Sequence, residues 1–280
     1  IQNIKLVSYN VFIPHLCNSY FMRFRIKILA MLLLSVSLVT AHGTEEPSTL
    51  AGLPDPVTLL YYSSLISGLA IVSSLLYKPS KKEKKIAFLF IVVPISLATI
   101  YLAGHTVYLN LVSESGGPVH WHADYEVWVC GKKLDLTDPM GFDNKIGTAV
   151  FHEHNDDRIH AEGVLVKISD ASLESYFDVI GGKLDENELA YPTNSGTVSA
   201  KNNELCNGKP AKLQTFVYKT AGRKYSQDKL MDFTHYVLSP HPQVPPGDCI
   251  IIEFGEEKNR TDKICETYRI AIEKGDLIGG

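Results

Sequence analysis

The sequence predicts an α+β protein: a β-rich extracytoplasmic domain following a two-helix transmembrane hairpin. Three observations carry this. Two long apolar stretches flank a lysine-rich loop. The run from His120 to Val129 alternates with period two, as a strand does. Beyond it, strand-like and helix-like patterns mix without a βαβ rhythm.

The chain has 280 residues, a formal charge of −4 and 45% apolar residues, concentrated before residue 112. No long basic stripe is present, so composition gives no nucleic-acid signal. Residues 1–21 precede the first methionine and read as an upstream or artefactual segment. Residues 22–41 read as a signal peptide: Arg23, Arg25 and Lys27 are the basic part, Ile28–Leu38 the apolar part, and Val39-Thr40-Ala41 the small cleavage residues. Cleavage there would leave His42 at the new N-terminus. Residues 42–56 form a proline-bearing linker.

Residues 57–111 make the hairpin. Val57–Tyr77 and Ile86–Leu111 contain no Asp, Glu, Lys or Arg, and each can cross a hydrocarbon core of roughly 30 Å. Residues 78–85 between them carry five lysines, which the positive-inside rule places in the cytoplasm. Residues 112–280 then lie outside the cell.

Five of the ten histidines fall between His120 and His160. Imidazole is the commonest metal ligand near neutral pH. Residues i and i+2 of a strand share a face, so His120, His122, Asp124 and Glu126 line one side of a half-buried strand. Trp121, Ala123, Tyr125, Val127 and Val129 line the other. Ala149–His154 and His160–Val166 read as two more strands, joined through Asn155–Arg158. A five-residue turn sets His154 opposite His160 and His152 opposite Glu162, all on one face; a four-residue turn sends His160 and Glu162 to the other. The first arrangement predicts that His120, His122, His154 and His160 converge on one ion, with His152 and Glu162 as further ligands or supports. A nitrogen-rich set suits copper or zinc, and also iron or nickel, over calcium or magnesium. Zinc-finger spacing is absent. The helical zinc-protease motif is absent too, because Asp156 stands where its second histidine belongs. Solvated histidines on a polar strand face are the plain alternative.

Further along, Leu173, Tyr176, Phe177 and Ile180 give a short amphipathic helix capped by Asp170 or Ser172 and stopped at Gly181. Residues 185–210 read as a long polar loop. Ala211–Lys219 reads as a strand, Ser226–Phe233 as a short helix, and Pro245–Asp248 as a turn into the strand Cys249–Phe254. Thr261–Glu273 closes as a helix. Cys130, Cys206, Cys249 and Cys265 form an even set outside the membrane, predicting one or two disulfides with the pairing open. A thiolate ligand is the competing use; Cys130, ten residues from His120 at roughly 3.3 Å each, is too far along one strand to share its ion. Asn259-Arg-Thr261 is a glycosylation sequon.

The motifs His120-Trp-His122-Ala, Val127–Gly131, Ile146-Gly147, His152-Glu-His154-Asn-Asp-Asp157 and Ile159-His160-Ala-Glu162 resemble a group of uncharacterised extracytoplasmic proteins of bacteria and archaea. Leu173–Ile180 and Gly247-Asp-Cys-Ile-Ile-Ile-Glu253 are similar to that group's later helix and strand. The resemblance spans roughly residues 117–255. Asp156-Asp-Arg158 and the four cysteines depart from the pattern. It implies a shared metal-type site and no established activity. The fit to cupins is poorer, because the Glu and Gly spacing after His154 differs.

Three functions follow: a membrane-anchored copper or zinc protein that senses, holds or delivers the ion; a surface metalloenzyme, hydrolytic or oxidative; or a structural or adhesion ectodomain. Glu153, Asp156 and Glu162 are acid–base candidates for the second, and nothing in the sequence singles one out.

Overall fold

The computed structural model describes residues 54–77, 79–140, 144–241 and 247–279. The upstream segment, the signal peptide, His42, nearly all of the linker and the two prolines of the 245–248 turn lie outside them. The chain divides into two compact units, one ending at Thr106 and one starting at Val107.

Two helices open the described chain. Helix α1 spans Pro56–Leu76; Asp55 caps it by accepting from the Thr58 amide at 2.7 Å, and Pro56 occupies the first turn, where no donor is needed. Helix α2 spans Lys81–Val112, and Ser80 and Glu83 exchange capping hydrogen bonds at its start. It therefore begins inside the lysine run, and the connection is shorter than residues 78–85. Both helices are long and apolar enough to cross a membrane, and large apolar side chains such as Phe88, Leu97 and Ile100 are exposed on α2.

The rest is β-rich. Strand β1 (Pro118–Val129) is central and is followed by β2 (Lys132–Leu134), β3 (Ile146–Gly147), β4 (Phe151–Glu153) and β5 (Arg158–Val164). Helix α3 (Leu173–Val179), capped by Ser172, precedes β6 (Lys183–Leu184), β7 (Glu188–Thr193) and β8 (Gly196–Lys201). Then come β9 (Leu205–Cys206), β10 (Lys209–Pro210), β11 (Lys212–Ala221), β12 (Lys224–Leu230) and β13 (Asp248–Gly255). Helix α4 (Glu266–Glu273) and β14 (Ile278–Gly279) close the chain. The main sheet runs β14-β12-β11-β13-β1-β5-β4-β3, with β2 also on β1. β1 pairs parallel with β13 and antiparallel with β5.

Both faces of β13 are covered, which explains its unbroken apolar run. Ile250, Ile252 and Phe254 join Tyr125, Tyr176 and Phe177 in the larger core. Cys249 and Ile251 join Phe216, Tyr218 and Tyr268 in a second core on the other face. β1 is likewise buried on both faces from His122 to Val127, so it is not the half-buried strand that alternation suggested.

Three more expectations change. Residues 185–210 are not a loop: β7 and β8 form a hairpin whose Leu189 and Tyr191 point into the core behind polar neighbours. Ser226–Phe233 is not a helix, because residues 224–230 pair along β11 with every second side chain exposed. The closing helix starts only at Glu266, after Cys265 is tied down. Cys130 bridges Cys206 and Cys249 bridges Cys265, with Cα separations of 5.2 and 5.8 Å. All four are therefore paired, and none of them is left as a thiolate ligand.

Candidate metal centre

Three adjacent strands build the centre. Register places His122 of β1 opposite His160 of β5, and His160 opposite His152 of β4. One imidazole row thus crosses three strands. A neighbouring row pairs His120 with Glu162, and the next pairs Asp124 with Arg158. The predicted pairing of His154 with His160 is displaced by two residues. An even displacement keeps every side chain on its face, so the histidines still share one side. The turn that sets this register bends through Asn155 and Asp157, both in the left-handed region. The Glu153 carboxylate accepts from the Asp156 and Asp157 amides inside it. Glu153 itself is buried on the opposite face, where burial raises its pKa, so it serves the turn.

Glycines let the backbones close up. Gly147 has φ +111°, and a Cβ there would meet the Phe151 carbonyl oxygen at 2.5 Å, so only glycine brings β3 against β4. A Cβ on Gly247 would collide with the His122 carbonyl oxygen. The His122 amide donates to the His241 carbonyl at 3.0 Å.

The ligand atoms sort into two groups of three, each with its atoms within 4.8 Å of one another: His152, His154 and His160; and His120, His122 and Glu162. The four histidines expected to converge are spread over the two groups, and His152 and Glu162 each stand in one of them. In the second group His120 Nε2 stands 3.0 Å from His122 Nε2 and 3.2 Å from Glu162 Oε1. Ligands around a tetrahedral ion with bonds of roughly 2.0–2.1 Å lie about 3.3 Å apart, so this group is close to that shape. In the first group the His154 Nδ1–H donates to the Asn144 carbonyl. That bond fixes the tautomer and leaves Nε2 with its lone pair for a ligand.

The two groups touch. His160 meets His122 edge-on at a ring separation of 4.9 Å, meets His154 at 4.9 Å, and stacks on His152 at 5.5 Å. Both ring nitrogens of His160, with His122 Nδ1 and His152 Nδ1, are buried without a hydrogen-bond partner among the described residues. The nearest carboxylate oxygens to His160, on Asp156 and Glu162, stand at 3.6 and 3.9 Å, beyond hydrogen-bond range. Buried polar atoms are nearly always satisfied by protein, water or ligand, so these four nitrogens could take a ligand.

Compared with protein-family models, with curated proteins and with solved structures, the chain matches none.

Electrostatics keep part of the cluster in ligand form. Burial, then the nearby His160 and His120 rings, pushes the His122 imidazole down to about 4. Burial, with His154 next, pushes His152 down to about 4 as well. Both rings are neutral at pH 7, as coordination requires. Their ligand character therefore persists below the pH of about 6.5 at which a free imidazole takes up a proton.

Several supporting groups have no signature in the sequence. Arg158 Nε donates to Asp124 Oδ1 at 2.7 Å, and the Thr267 hydroxyl donates to Asp124 Oδ2. Asn144 and His241 act through backbone carbonyls, which any residue supplies, so no side-chain pattern could have found them.

Proposed function

We propose that this protein is a membrane-anchored, extracytoplasmic metal-binding protein that senses, holds or delivers a transition ion, copper or zinc. The observation that carries the reading is the cluster of imidazoles whose ligand atoms lie within 4.8 Å of one another, several of their buried nitrogens having no hydrogen-bond partner among the described residues. A structural or adhesion ectodomain has no use for them, since a solvated face would leave those atoms wet. Two apolar helices support an anchor, and two disulfides fit an oxidising compartment. The group resemblance in the histidine motifs points the same way.

A second reading has its own support. Each group offers three protein ligands, and three ligands with an open fourth position is the pattern of catalytic zinc. A hydrolytic or oxidative surface enzyme would use that position for water or substrate.

Elemental analysis of the full chain purified in detergent tests the proposal. It should carry zinc or copper in stoichiometric amount, and a preparation that stays metal-free in the presence of both ions would refute it. For topology, protease added to intact cells should degrade residues 113–280. Protection of that region until lysis would put it on the other side.

A further inference from the structure

We infer that the histidine face takes two transition ions side by side on each chain, one on His152, His154 and His160 and one on His120, His122 and Glu162. The inference rests on the metal-binding reading above and adds a second site to it.

One ion cannot use all six residues. Ligand atoms on a single ion with bonds of roughly 2.0–2.1 Å lie no more than about 4.2 Å apart. The six ligand atoms do not form one such set: they sort into two threes, each with its atoms within 4.8 Å of one another, and His122 and His152 fall in different threes.

Each group is complete by itself. The outer one already holds three ligand atoms with two separations of 3.0 and 3.2 Å. The inner one has a carbonyl-fixed His154 and orphaned nitrogens on both of its other rings. Two dications this close repel, and the Glu162 carboxylate lies where it offsets that. Its Oε1 is 3.2 Å from His120 and 3.9 Å from His160, so it faces both groups.

The two sites differ in access. Each group has one buried ring, His122 or His152, and only the outer one has a fully exposed ligand, His120, whose side chain is 60% exposed against 12% for His160. The outer ion exchanges with solvent faster, and the inner, all-imidazole ion is held longer. Such a pair suits a protein that accepts an ion at its rim and keeps one beneath.

The test is equilibrium dialysis of the full chain in detergent against buffered free Zn2+, with ions per chain read by elemental analysis. Wild type should reach two. His120→Ala, at an exposed position, should reach one by losing the faster-exchanging ion, and His154→Ala should reach one by losing the slower. The double variant should reach zero. A wild-type plateau at one would overturn the second site while leaving metal binding intact. Loss of both ions in His120→Ala would also overturn it, by showing a shared site. A plateau at zero would remove the metal reading as well. Because a variant can misfold, Cu2+ loading of wild type gives an independent readout. Two equivalents should produce a magnetically coupled EPR spectrum, and two uncoupled signals would refute neighbouring sites.

Discussion

One face of β1 carries four polar side chains in a row, and its two halves behave differently. Asp124 and Glu126 close their bonds within the protein. Asp124 takes Arg158 and Thr267, and Glu126 takes the Trp128 indole at 2.9 Å and Lys133 at 3.1 Å. His120 bonds to His122 and pairs with Glu162, and the buried rings beside them have nitrogens without a hydrogen-bond partner among the described residues. Burial alone therefore does not mark a functional site, since both halves contain buried groups. Burial with an open valence does. The first half stabilises the fold. The second is held in place by the fold at some cost to it, the usual relation between sites and stability.

Acid should expose that difference most strongly. An unfolded imidazole titrates near pH ~6.5, whereas His122 and His152 sit at about 4 in the folded chain. Between those values the unfolded chain binds more protons, so stability falls as pH drops from about 6.5 and the loss is complete below about 4. For two rings, with water still reaching the site, the expected loss is about 3–4 kcal/mol. Thermal melts of metal-free protein should show it, and His122→Gln/His152→Gln should flatten the slope. An unchanged slope in that variant would place the acid sensitivity elsewhere.

The closed half should respond next. Asp124→Ala strands Arg158, whose side chain is only 14% exposed, beside a more distant Asp156 at 3.8 Å. Leaving a buried charge unpaired costs about 3 kcal/mol, the low end of the usual range because Asp156 remains. Denaturant melts at neutral pH read this directly. A cost below about 1 kcal/mol, the value of an exposed pair, would erase the contrast between the halves.

Zinc should favour the open half. An ion at a hundred times its Kd stabilises the folded chain by about 2.7 kcal/mol at one site. Melting with and without Zn2+ measures it, and Asp124→Asn should keep the shift.

The smallest change is expected at the centre of the open half. His160 makes only long contacts to Asp156 and Glu162, at 3.6 and 3.9 Å, so His160→Leu should alter metal-free stability by less than about 1 kcal/mol, in either direction. The same variant should lose the zinc-dependent shift of the inner site. A large loss of metal-free stability would mean that His160 has partners of its own.

The histidine face is largely legible in the sequence. Spacing by two in β1, β4 and β5 puts His120, His122, His152, His154, His160 and Glu162 on one side, because strand side chains alternate whatever the strand pairs with. The two helices and the Asp170–Gly181 helix region are legible for a similar reason: apolar runs, caps and stop residues act within a few residues of themselves. The hairpin at 188–201 is hidden because its two core side chains, Leu189 and Tyr191, sit among residues typical of loops.

What local pattern determined, then, is which residues share a face and which segments repeat with helical or strand period. What only the tertiary structure decided is who stands beside whom. The His152–His160 register depends on the Glu153-bound turn, and the cysteine pairing on strands that meet far apart in sequence. The sorting of six candidate ligands into two groups depends on how side chains from three paired strands meet. Periodicity is a property of one segment and can be read along it. Register and convergence are properties of pairs, set by turns, glycines and packing from elsewhere in the chain.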